Sequence, residues 1–150
     1  MNLTQKEQNF LTDFKNQELL CIEKYEKYAS QACSGELKSL FTALAESERG
    51  HLRTVDEMAT GHTPTAPSTL QGNNALCASS DYRDEASRKA DEFLCRDMLA
   101  SEKHASALYD TGIFEFCDPS ARKMLAHMQA EEQQHGEELA AYMKNNGMTF

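Results

Sequence analysis

Glu48-x-x-His51 recurs 84 residues later as Glu132-x-x-His135. A lone Glu stands 30 residues before each copy, Glu18 and Glu102. Seven positions after each lone Glu comes a tyrosine, Tyr25 and Tyr109, and midway through each unit a cysteine, Cys33 and Cys117. Four carboxylates and two imidazoles therefore lie on a twofold repeat. Residues at i and i+3 leave the same face of a helix. One Glu from each of two helices, with a Glu-x-x-His from each of two others, is a ligand set for two metal ions inside a helical bundle.

The residue types fit that chemistry. Four carboxylates carry four negative charges, which two divalent ions would cancel. Imidazole with carboxylate suits iron, with manganese as the alternative, and no thiolate stands in the motif to favour zinc or copper(I). The expected metal ligands are Glu18, Glu48, His51, Glu102, Glu132 and His135. Glu18 and Glu102 would each serve one metal, Glu48 and Glu132 would bridge, and His51 and His135 would each complete one metal. Open positions on the metals would be where dioxygen or peroxide binds. Each ligating histidine also needs its second ring nitrogen held, by a partner the sequence does not name. No catalytic residue is assigned beyond the ligands.

Other polar residues near the motif carry plainer readings. Tyr25 and Tyr109 are either hydrogen-bond donors to the ligands or core tyrosines with the hydroxyl at the bundle edge. His104 is two residues from Glu102 and points elsewhere; His62 and His127 are likewise not taken as ligands. Glu131 lacks the i+3 relation to His135 and reads as solvated. Met98, Met124, Met128 and Met143 read as core filler. A single Glu-x-x-His is a weak signal in a Glu-rich chain, and its recurrence at matched separations is what makes it specific. The bland alternative is a degenerate site whose carboxylates are partly protonated or bridged by water.

Helices must position these groups. Thr4-Gln5-Lys6-Glu7 is a capping box. Apolar residues then recur with helical spacing at Phe10/Leu11, Phe14, Cys21/Ile22, Tyr25 and Tyr28/Ala29. A second stripe holds Leu37, Phe41, Leu44, Leu52, Val55 and Met58, and Gly61 stops it. A third holds Phe93/Leu94, Met98, Ala105, Tyr109 and Ile113. Asp118-Pro119 caps the fourth, which carries Met124/Leu125, Met128, Leu139 and Tyr142/Met143 and ends near Gly147. Helices are expected over about residues 4–31, 35–60, 82–116 and 119–146, with loop chemistry across about 61–80, where Gly61, Pro64, Pro67 and Gly72 fall. The expected class is all-α.

The six groups share one depth. Glu18 lies 15 residues before Cys33 and Glu48 lies 15 after it; Glu102 and Glu132 flank Cys117 in the same way. Each is then roughly 22 Å from its own hairpin turn. The long loop can reach about 65 Å, enough to run the length of a bundle of about 40 Å. The third helix would then start parallel to the second. Two antiparallel hairpins would be related by a pseudo-twofold axis through the polar layer.

Composition bounds the rest. A chain of 150 residues, 40% hydrophobic and 26% charged, reads as one soluble globular domain over residues 1–150. A net charge of −9 disfavours nucleic-acid binding. No run reaches the roughly 18 apolar residues of a membrane helix, and the N-terminus shows no apolar signal region, so a cytoplasmic protein is expected. The five cysteines, Cys21, Cys33, Cys77, Cys95 and Cys117, include no Cys-x-x-Cys pair. That excludes a rubredoxin-type iron site or zinc ribbon and suits reduced, mostly buried thiols. A crosslinking role for an exposed one, Cys77 above all, stays open.

The run Glu18-Leu-Leu-Cys-Ile-Glu-Lys-Tyr25 followed by Glu48-Arg-Gly-His51 resembles the first half of a rubrerythrin or related ferritin-like protein, and Glu102 through His135 resembles the second half. Residues 15–25 and 36–41 resemble most the spore coat protein F family. The resemblance implies a ferritin-like four-helix bundle with a di-iron centre, a place in the spore coat, and a second copy or other coat proteins as partners. Two departures bear on activity. The extra helix-three Glu of rubrerythrins is absent, with Leu99 and Ala105 at the candidate places, and so is a rubredoxin-like iron domain. Two function classes stand: a di-metal oxidase or peroxidase acting on dioxygen or peroxide, and a structural coat protein whose metal site is stabilising or degenerate.

Overall fold

The computed structural model describes residues 1–70 and 79–150. These form an all-α four-helix bundle of α1 (Gln5–Gln31), α2 (Gly35–Ala59), α3 (Glu85–Ile113) and α4 (Pro119–Asn145), with no strand among the described residues. Each helix starts where a side chain satisfies its free amides. The capping box forms: Glu7 N–H donates to Thr4 Oγ1 at 3.2 Å and Thr4 N–H to Glu7 Oε2 at 2.7 Å. Ser34, Asp84 and Asp118 accept from amides in the first turns of α2, α3 and α4. Gly61 (φ 87) and Gly147 (φ 64) follow the ends of α2 and α4 in the left-handed conformation that favours glycine. The third helix holds its whole stripe but is shorter at both ends than the expected 82–116. Asp84 caps it, so it starts at Glu85, and the chain turns after Ile113 to bury Phe116.

The helices pair as two antiparallel hairpins. Lys15–Asp56 and Arg49–Glu26 ion pairs run α1 against α2. Contacts of α4 with α3 include Gln129 with Asp110, while Arg88 at the start of α3 reaches the Gly147 carbonyl beyond α4. Tyr25–Glu102 and Tyr109–Glu18 contacts set α1 antiparallel to α3. Helices α2 and α3 are therefore parallel, and the chain between Ala59 and Glu85 joins opposite ends of the bundle. Residues 71–78 of this connection, with Gly72 and Cys77, lie outside the described residues. No helix among the described residues is long and apolar enough to cross a membrane.

The apolar core is in two parts, one on each side of the polar layer. One contains Leu11, Phe14, Val55, Met58, Leu125 and Met128. The other contains Phe41, Leu44, Met98, Leu139 and Tyr142. The 84-residue repeat exchanges them: Phe14 with Met98, Phe41 with Leu125, Val55 with Leu139. One stripe residue departs. Phe93 is 64% exposed while Leu94 is buried, because neighbours on a helix point about 100° apart and only one can face the core.

Two buried carboxylates lock the hairpins together. Glu7 on α1 accepts from the Cys117 amide at 3.0 Å, at the turn of the second hairpin. Asp91 on α3 accepts from the Cys33 and Ser34 amides at 2.8 and 2.9 Å, at the turn of the first. Cys33 and Cys117 themselves have exposed side chains, Cys21 and Cys95 are buried, and all four are free. The expectation of mostly buried thiols thus holds for two of the four described cysteines.

Candidate metal centre

The bundle brings all six expected ligands into its middle. Glu18, Glu48 and Glu132 have no exposed surface, and Glu102, His51 and His135 expose 5% or less. Their donor atoms form two groups, each within 4.8 Å: Glu18, Glu48, His51 and Glu132, then Glu48, Glu102, Glu132 and His135. Glu48 and Glu132 belong to both groups.

Both histidines face this cluster through Nδ1. His51 Nδ1 is 2.9 Å from Glu48 Oε2 and 2.9 Å from Glu132 Oε1. His135 Nδ1 lies 3.3 to 3.5 Å from Glu48, Glu132 and Glu102. The two rings stack at 5.7 Å between centroids.

The outward nitrogens find the partners that the sequence left unnamed. His51 Nε2 is 2.8 Å from Glu131 Oε2, and His135 Nε2 is 2.9 Å from Ser47 Oγ. Glu131 is therefore not a solvated residue: its side chain is 17% exposed and bonded to a cluster histidine. Without the i+3 relation to His135, Glu131 points instead across the bundle, at the opposite histidine. A signal for it was present, since Ser47 and Glu131 are 84 residues apart and each precedes its Glu-x-x-His. His127 stands 3.4 Å from the other Glu131 oxygen, and His62 and His104 are exposed, away from the cluster.

The tyrosines take the hydrogen-bonding alternative. Tyr25 donates to Glu102 and Tyr109 to Glu18, all four groups buried. Seven residues along one helix is two turns from its own Glu, but antiparallel packing of α1 on α3 brings each tyrosine level with the Glu of the other. Burial and the nearby carboxylates push both phenols well above their ordinary pKa, so they remain neutral donors. Burial and the four carboxylates likewise keep the Cys21 thiol protonated; a thiol in that state is a poor metal ligand.

A cation suits what is left over. Glu18 Oε2, both Glu48 oxygens, Glu102 Oε2, Glu132 Oε2 and His135 Nδ1 are buried and make no hydrogen bond of proper geometry. Buried carboxylates in this state are costly unless neutralised. The chain answers with protons. Burial, then Glu102 and Glu18, push Glu48 up to about 7. Burial, then Glu48 and Glu102, raise Glu132 as well. Burial also opposes charge on Glu102, but a proton shared from Glu132, with His135 and Tyr25, holds it below the usual range. Burial works against charge on both histidines, yet the facing carboxylates raise them well above the ordinary value. A group that traps protons among clustered oxygens and imidazoles is one that divalent ions can take over by displacing them. The residues fit a metal pair.

A groove of about 650 Å³ opens over the two histidines on the α2/α4 face, lined by Ser47, Gly50, His51, Arg53, Glu131 and His135 among others.

No curated protein and no solved structure matches this chain. Over residues 90–149, most of α3 and all of α4, the chain is similar to the Coat F domain, a span that includes Glu102, Glu132 and His135.

Proposed function

We propose that this chain is a di-metal carboxylate protein of the ferritin-like, Coat F type. The observation that carries the reading is the set of buried carboxylate oxygens and one imidazole nitrogen, without proper hydrogen bonds, gathered at the bundle centre. Glu18 and His51 would hold one metal and Glu102 and His135 the other. Glu48 and Glu132, common to both groups, would reach both. The oxygen-rich, thiolate-free donor set favours iron, then manganese. Tyr109 and Tyr25 orient Glu18 and Glu102, and the partners at Nε2 aim each histidine inward. When bound, such a metal pair supplies redox chemistry toward dioxygen or peroxide. The groove beside His51 and His135 supports access from solvent as far as the two histidines.

The similarity to the Coat F domain supports a place in the spore coat, with a second copy or other coat proteins as partners. A second reading has its own observation. The carboxylates that burial forces to hold protons would be relieved by metal, so the metal could serve the bundle's stability alone.

Metal analysis of protein produced with iron and with manganese tests the proposal. About two ions per chain are expected from this ligand set, and none would sink it. Peroxide or dioxygen is then added to the iron-loaded protein. A spectral change supports the redox reading; bound metal that stays inert favours the stabilising one.

A further inference from the structure

The 84-residue repeat makes the two halves of the centre alike in nearly every group: Glu18 with Glu102, Glu48 with Glu132, His51 with His135, Tyr109 with Tyr25. It fails at one pair that touches the histidines. Ser47 and Glu131 are repeat equivalents, and each holds the histidine of the other half, Ser47 at 2.9 Å from His135 Nε2 and Glu131 at 2.8 Å from His51 Nε2. We propose that this break makes the two metal positions unequal, with Glu131 making the position held by Glu18 and His51 the tighter one. The inference rests on the di-metal reading above.

The two partners differ in what they can do. An ionised carboxylate only accepts hydrogen bonds. Glu131 thus fixes a proton on His51 Nε2 and leaves the Nδ1 lone pair for the cluster. It also adds negative charge behind the ring, which strengthens the imidazole as a ligand. His127, 3.4 Å from its other oxygen, braces it. A hydroxyl both donates and accepts. Ser47 therefore fixes neither the proton position of His135 nor any charge behind it. The cluster-facing ligands match pair by pair in residue type, so Ser47 against Glu131 is the difference in chemistry among the groups that touch the histidines. Losing the partner of a ligating histidine altogether lowers metal affinity about 10–100-fold; His135 keeps a weaker, neutral partner, so the two positions should differ by about tenfold, the low end of that range.

Titration of the metal-free full chain with manganese(II) alone, followed by calorimetry, tests this. The wild type should fill in two steps separated by about tenfold. Glu131→Ser places a hydroxyl behind both histidines; the steps should merge at the weaker affinity, with the stoichiometry kept. Ser47→Glu should merge them at the tighter one. His51→Ala should remove the tight step, and His135→Ala the weak one. A single step in the wild type overturns the inference and leaves the di-metal reading standing. A split that persists in Glu131→Ser also overturns it, and assigns the split to repulsion between the ions. Failure to bind any manganese or iron overturns both readings. If Glu131→Ser does not fold by circular dichroism, Glu131→Gln keeps the size and removes the charge, and its split should shrink; an unchanged split again overturns the inference.

Discussion

The Cys117 amide donates a 3.0 Å hydrogen bond to the Glu7 carboxylate across 110 residues of chain. Its counterpart links Cys33 and Ser34 to Asp91. Glu7 and Asp91 are themselves 84 residues apart, so the repeat that defines the cluster also defines its fastening. Within a hairpin, the count of residues from the turn levels the two Glu. Between hairpins, nothing local sets the register. These two carboxylates help to do so, alongside the Tyr25–Glu102 and Tyr109–Glu18 contacts, by tying each turn to the first stretch of a helix in the other hairpin. The layer of Glu18, Glu48, Glu102 and Glu132 depends on that alignment.

Asp91→Ala should therefore destabilise the bundle. The change removes an acceptor for two amides and for the Tyr82 hydroxyl at 2.8 Å. Of these bonds the one to the Ser34 amide is buried, and Tyr82 keeps the Tyr142 hydroxyl as a partner; leaving a buried donor unpaired costs about 1–3 kcal/mol, and a loss of that size is expected. Asp91→Asn keeps one acceptor oxygen and should lose less. Urea unfolding checks the order; equal stability of Asp91→Ala and wild type would refute the fastening role.

Gly112→Ala should also destabilise. A Cβ at this helical position would overlap the ring of Phe14, which is fully buried. Phe14 is walled by Phe10, Tyr109 and Phe116 and has nowhere to swing. Overpacking of this kind costs about 1–3 kcal/mol, more than the gain of up to about 1 kcal/mol in helix propensity. Combining it with Phe14→Leu should recover part of the loss in a melting experiment.

Much of this was legible in the chain because it is periodic. Caps at Thr4 and Asp118, apolar stripes, and the matched separations of Glu and His all act within one helix or one hairpin. What stayed hidden acts between hairpins. Asp91 lies in none of the stripes or motifs above, and packing against the Cys33 turn buries it. Tyr25 and Tyr109 could not be assigned from seven-residue spacing, because their partners lie on another helix. Glu131 reads as a solvated neighbour of Glu132 until α2 and α4 run antiparallel and set it beside His51. Extending the repeat to every polar position would have flagged Glu131 through Ser47 and Asp91 through Glu7.

Tyr109→Phe should weaken metal binding without unfolding the protein. The ring stays packed on Phe14 at 4.8 Å between centroids, while Glu18 loses its only phenol donor among the described residues. A carboxylate ligand that is no longer oriented binds less well, by about tenfold on the low side of such effects. Tyr25→Phe should do the same through Glu102. Manganese affinity with an unchanged helical spectrum is the check; unaltered affinity in both variants would place the tyrosines in a packing role.

The cluster also sets a pH dependence whose sign reverses with metal. In the metal-free protein, Glu48 is raised from 4.5 to about 7, and Glu132 is raised too. A carboxyl raised on folding holds its proton better in the folded state, so stability falls as pH climbs from the unfolded value through the folded one. His51 and His135 are raised above 6.5, so their contribution is full below that value and is lost as pH passes the raised one. Glu102 is held down, and its contribution disappears only as pH drops below the ordinary carboxyl range, in a separate window. The metal-free melting temperature should thus fall between about pH 5 and pH 8. Metal must displace these same protons, so its binding strengthens over that interval. The gap in melting temperature between loaded and metal-free protein should widen as pH rises. Calorimetric scans at several pH values would show it, and a gap that narrowed toward pH 8 would mean that the buried carboxylates are not the metal's ligands.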